Sequence, residues 1–199
     1  MSRLLFGAVE PYGSQRNLTE SDINYIESLK SAKRQAEVAS WRNLLREATS
    51  TSADILYHPS GAPYIVDSSD FISVSHSSTH LAVMVSSAPC AIDLESTTRN
   101  FERIASRYVT PFESKLTAST APLLPLLWSA KEVLYKISPL AGLDLLEDIN
   151  VIAIENGVIY GVVKGCDDTI EMLYRLQDEH VIVYTSSAES EIKTTISLL

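Results

Sequence analysis

Three acids and one lysine stand out because their types and spacing suit holding a divalent cation against phosphate. In Ala91-Ile92-Asp93-Leu94-Glu95, a strand places residues two apart on one face, so Asp93 and Glu95 project together. Ile92 and Leu94 then face a core. Neighbouring carboxylates repel unless something positive lies between them, and hard oxygen ligands at this spacing suit Mg2+ shared with substrate phosphates. A solvated strand end bearing two acids is the plainer alternative. Further along, Trp128-Ser129-Ala130-Lys131-Glu132-Val133-Leu134-Tyr135-Lys136 has helical periodicity. Leu127, Ala130, Leu134 and Ile137 form its buried stripe. Trp128, Glu132 and Lys136 recur every four residues on the other side. Glu132 then serves as a base or a third metal ligand, and Lys136 as a phosphate clamp. The alternative is a Glu-to-Lys helix pair of about 0.3 kcal/mol beside a structural tryptophan. A third segment, Ser73-Val74-Ser75-His76-Ser77, ends a strand. It lacks the glycine-flanked elbow of a nucleophilic serine, but its hydroxyls and imidazole can hydrogen-bond phosphate. A structural histidine is the competing reading there.

These residues need elements to carry them. Thr19 followed by Asp22 marks a helix start, and the helical pattern runs to about residue 48, with Val38, Trp41 and Leu45 as its apolar stripe. Segments 71–75, 81–85 and 90–95 have strand character, the first two joined by the polar turn 76–80. Segments 101–108 and 111–115 are predicted as helices, as is 126–137, which stops before Ser138-Pro139. Strands follow at 150–155, 158–163, 169–176 and 180–185, with a turn at Asn156-Gly157. Helices and antiparallel strands in mixed order predict an α+β fold. Each half offers a helix and a meander, so a pseudo-duplicated architecture is expected, divided as 1–95 and 96–199.

At 199 residues the chain suits one domain or two compact halves. Its formal charge of −9, from 25 acidic and 16 basic side chains, argues against coating nucleic acid or an anionic membrane. Lys30, Lys33, Arg34, Arg42 and Arg46 nevertheless cluster in one stretch. That cluster is a solvated helix face or a local anion site. No apolar run approaches the roughly 20 residues of a membrane span, and the N-terminus is a poor match to a signal peptide. Cys90 and Cys166 have no metal-ligand spacing, so a reduced, cytoplasmic setting is expected.

Taken in order, F-I-S-V-S-H-S, A-I-D-L-E and W-S-A-K-E-V-L-Y-K resemble the 4'-phosphopantetheinyl transferase superfamily. In particular they resemble its surfactin-synthetase-activating type, with two similar halves in one chain. Trp41-Arg42-Asn43-Leu44-Leu45, the segment 57–63 and Gly142-Leu143 extend the similarity. The resemblance implies an α+β, pseudo-duplicated fold with two halves, each a mainly antiparallel sheet packed on helices. It implies an Mg2+-dependent transferase that moves phosphopantetheine from coenzyme A to a serine of an apo acyl or peptidyl carrier protein. Asp93, Glu95 and Glu132 match the acids that hold Mg2+, and Lys136 matches a lysine on the same phosphates. Ser75 and His76 match residues near the 3'-phosphate and pyrophosphate, and Arg42 matches one at the nucleotide end. Trp128 would wall the site, and Lys131 is a further candidate cation for the leaving group. A monomer suffices for such a protein. Two departures stand out, Ala91 for a glycine and Ala62 for a lysine. The competing classes are a coenzyme A-binding protein of the same fold with reduced catalysis, and a non-catalytic adaptor.

Overall fold

The computed structural model describes residues 2–186 and the backbone of 194–196. The chain divides into two units. One ends at Cys90 and takes in the strand 194–196, and the other begins at Ala91. Each is a largely antiparallel sheet packed on helix, so the fold is α+β. The break comes before Asp93 and Glu95, and not after them as the 1–95 and 96–199 division had it, because their strand hydrogen-bonds into the second sheet. Residues 187–193 and 197–199 of that division lie outside the described residues.

The first unit contains β1 (Arg3–Ala8), α1 (Glu20–Glu27), α2 (Ala32–Thr49), β2 (Ile55–Tyr57), β3 (Pro63–Ile65), β4 (Phe71–His76) and β5 (His80–Ser86). Strand β11 (Thr194–Ile196) adds to its sheet parallel to β1. The single helix predicted from Thr19 to residue 48 is in fact two. Thr19 and Asp22 form the predicted capping box at α1, and Ser31 caps α2 by accepting from Arg34 N–H. Val38, Trp41 and Leu45 are buried, as their spacing predicts. Strand β1 escaped the sequence reading because five apolar or small residues in a row give no alternation.

The unit is held by one buried carboxylate. Asp22 accepts from Arg42 Nη1 at 2.7 Å and from Arg46 Nη2 at 3.0 Å and Nε. Arg46 reaches on to the carbonyls of Thr51 and Ala53, and the Arg42 guanidinium lies 4.5 Å over the Tyr25 ring. One acid thus joins α1 to α2 and to the approach of β2.

The second unit contains β6 (Ile92–Ser96), two short 3-10 turns (Glu102–Arg107 and Glu113–Lys115), α3 (Leu123–Ile137), β7 (Ile149–Glu155), β8 (Val158–Val163), β9 (Thr169–Gln177) and β10 (His180–Thr185). The two short segments predicted as helices, 101–108 and 111–115, are helical over part of their length, as these 3-10 turns. Helix α3 begins three residues before the predicted start, with Pro125 inside its first turn, where a missing N–H costs little. Leu127, Ala130 and Leu134 are fully buried. Gly161 of β8 permits that approach, since a Cβ there would stand 2.5 Å from Leu134 Cδ1.

The two units repeat one topology. The strand order β1-β5-β4-β3-β2 in the first becomes β6-β10-β9-β8-β7 in the second. Aligned on His80 and His180, each of which opens a strand just after a hairpin turn, the registers coincide. His80 pairs with Ala8 and His180 with Ser96. Leu5 and Gly7 of β1 therefore occupy the places of Asp93 and Glu95 of β6. Only the second copy carries acids there.

Replacing Asp22 by Ala strands two guanidinium groups away from water and should destabilise the chain by about 3–5 kcal/mol, read from urea denaturation. Burial alone would raise the Asp22 carboxyl. Hydrogen bonds from Arg46, the Thr19 N–H and Arg42 outweigh it and pull it below the ordinary value of 3.8. The sign follows: the Asp22 contribution is fully present above pH 3.8 and is lost as acid titrates the carboxyl below it. The parent's advantage over Asp22→Ala should hold at neutral pH and shrink below that point.

Candidate active site

Among the described residues strand β6 pairs only with β10, and Asp93 and Glu95 lie opposite Val183 and Val181. Those valines belong to the core that packs on α3. The period-two rule then puts both acids on the helix side of the sheet. From α3, Lys136 Nζ donates to Ile92 O at 2.8 Å and to Asp93 Oδ1 at 2.9 Å. One ammonium thus joins helix and strand. Beyond the strand end, Arg99 Nη1 meets Glu95 Oε1 at 2.7 Å. Its guanidinium lies 4.9 Å over Phe101 and 5.0 Å over Trp128. Trp128 itself stands edge-on to Tyr108 at 5.1 Å.

Charge on this seam is concentrated. Asp93 is only 4% exposed. Burial pushes the Glu132 carboxyl above the ordinary range, the Asp93 and Glu95 charges push it further, and Lys136 and Arg99 pull it back. Glu95 is likewise raised by burial and then by Asp93, with hydrogen bonds from Arg99 and Trp128 opposing. Asp93 and Glu95 are therefore close enough to Glu132 to raise its proton affinity, and two cationic side chains already sit on the seam. Hard, mutually repelling oxygens of this kind fit a hard divalent cation. Among the described residues, however, no three His, Cys, Asp or Glu side chains converge tightly enough to enclose a metal. A closed three-acid cage is not present. The donor set fits a magnesium ion that takes one or two carboxylates and fills its remaining positions from phosphate and water.

The other sequence-selected residues are scattered. Lys131 is fully buried and ion-paired with Glu113 at 2.9 Å, so it faces the interior and not the seam. Arg42, 1% exposed, is committed to Asp22 and the carbonyl of Ile55. Ser75 and His76 end β4 in the first unit. There His76 Nε2 accepts from Arg34 Nη1 at 2.9 Å, and Nδ1 lies 3.5 Å from Glu37 Oε1. Guanidinium only donates, so Nε2 is the unprotonated nitrogen. Burial, and then Arg34 against the opposing charge of Glu37, hold the imidazole below its ordinary pKa. Ala62 is exposed. Arg99 and Glu113 escaped the sequence reading. Arg99 follows Glu95 by four residues, a spacing that signals pairing on a helix but not across a strand end.

Removing one charge tests the electrostatics. Glu132→Gln should raise the melting temperature of the metal-free protein at pH 8, by about 2–4 °C for each kcal/mol of relieved repulsion. The Glu132 carboxyl is raised on folding, so its penalty exists only where it is ionised. The advantage of Glu132→Gln should fade as pH falls through the raised value, and a gain that persists at pH 4 would contradict the seam.

No curated protein matches the chain. Residues 89–185 match the family model of the 4'-phosphopantetheinyl transferase superfamily. The matched span begins just before β6 and ends with β10, so it takes in Asp93, Glu95, Arg99, Trp128, Glu132 and Lys136 together. The second unit therefore carries a domain of the 4'-phosphopantetheinyl transferase superfamily.

Proposed function

We propose that the chain transfers the 4'-phosphopantetheine group of coenzyme A to a serine of an apo acyl or peptidyl carrier protein, with Mg2+ as cofactor. The reading is carried by one observation: a superfamily unit in which Asp93, Glu95 and Glu132 share a half-buried seam with Lys136 and Arg99. Asp93, with Glu95 or Glu132, would hold the metal. When bound, Mg2+ neutralises pyrophosphate charge and polarises the attacked phosphorus. The chain's own residues supply position and charge, which is most of what phosphoryl transfer asks of a protein. Lys136 and Arg99 offset charge on the leaving 3',5'-ADP. Glu132 accepts the proton from the carrier serine hydroxyl. Trp128, packed on Tyr108 and Phe101, screens the seam from water on one side.

A binding-only protein of the same fold is favoured by one feature: among the described residues, no three acids form a preformed metal cage. One experiment separates the two. Incubation with Mg2+, coenzyme A and a panel of apo carriers, followed by intact mass, should show the carrier gaining one phosphopantetheine. Glu132→Ala should lower the rate by at least about 100-fold while the protein stays folded. Unmodified carriers throughout, with coenzyme A still bound, would establish the binding-only reading, and parental turnover in Glu132→Ala would remove Glu132 as base.

A further inference from the structure

Beside the seam lies an ion pair that the chemistry above does not use. Lys131 Nζ, fully buried, donates to Glu113 Oε1 at 2.9 Å and to Leu145 O at 2.8 Å. Glu113 is also fully buried. Its Oε1 accepts from Val151 N–H at 2.8 Å and its Oε2 from Thr110 N–H at 2.8 Å. One carboxylate and one ammonium therefore tie α3 to the turn before Glu113, to β7 and to the loop after the helix. Burial pulls the ammonium below its ordinary pKa, and Glu113 opposes the shift.

Such a pair is a poor source of stability. Removing two charges from water costs several kcal/mol per ion, and apolar residues of similar volume often do as well. Its geometry suits a different task. Lys136, five residues along α3, is anchored to β6 through Ile92 O and Asp93. Five residues correspond to about 140° around a helix, so the two ammonium groups grip α3 on widely separated flanks. Glu132 lies between them, one residue past Lys131. Turning α3 about its axis strains one anchor or the other, while Leu134 sits closely against Gly161 of the sheet.

The geometry points to Lys131 and Glu113 as positioning residues that fix the rotation of α3 and thereby aim Glu132 at β6. Its catalytic readout rests on the function proposed above; its structural readout does not. The test is the double variant Glu113→Gln/Lys131→Met, which removes both charges and keeps an acceptor for Val151. It should melt within a few degrees of the parent. The kcat should fall about tenfold or more, as small misplacements at a reacting centre do, with the KM for coenzyme A nearly unchanged. Hydrogen exchange should quicken in β6 and the second half of α3. In calorimetry, coenzyme A should bind as in the parent without Mg2+ and more weakly than in the parent with it. A folded double variant with parental kcat and parental exchange overturns the inference. If the double variant does not fold, Lys131→Arg, which keeps the charge and displaces it, decides by the same measurements. A parent that modifies no carrier counts against the proposed function, and exchange and calorimetry then judge the positioning role alone.

Discussion

Carboxylates set side by side on a largely buried strand repel, and burial makes the repulsion worse because low dielectric strengthens every charge. The arrangement of the second unit follows from how this is relieved. Helix α3 must run close enough over β6 for Lys136 to reach both Asp93 and the Ile92 carbonyl. The chain leaving β6 must turn so that Arg99 comes back onto Glu95. The aromatic group of Phe101, Tyr108 and Trp128 then gives that guanidinium a flat surface to lie on. Relief is partial: Glu95 and Glu132 keep raised proton affinities. A seam in which charges are held but not fully satisfied can take up another cation and a polyanion.

Ion pairs elsewhere make the contrast clear. Asp22 with Arg42 and Arg46, and Glu113 with Lys131, are enclosed and also hydrogen-bond backbone groups. Breaking either leaves a charge with nowhere to go. Lys136 and Arg99 keep part of their surface in water, so they can exchange partners at small cost. Burial separates the cations enclosed in the fold from those that keep contact with water, although residue type and spacing look alike in all five.

This also explains what the sequence made legible. The alternation Ile92, Asp93, Leu94, Glu95 and the four-residue rhythm Trp128, Glu132, Lys136 are local patterns, and both elements occur where those patterns lie. The strands of the second meander were readable because turns such as Asn156-Gly157, with positive φ at both residues, punctuate them. Depth was not readable. Arg42 and Lys131 have the composition of anion-binding groups, yet each answers a buried acid, Asp22 or Glu113, that lies 20 or 18 positions away in the chain. Nor did spacing reveal that the acids stop short of a closed metal cage, since side-chain reach and counter-charges decide that.

The repeated topology places two copies of one scaffold under different rules. In β1, Leu5 and Gly7 answer only to packing beneath α2, so an exchange there is judged by how well it fills space. In β6 the corresponding positions must also keep a balance of charge, and a substitution of equal size can fail for electrical reasons alone. A variant library spread evenly over both strands should therefore show tolerance that tracks side-chain volume in the first and ionic character in the second.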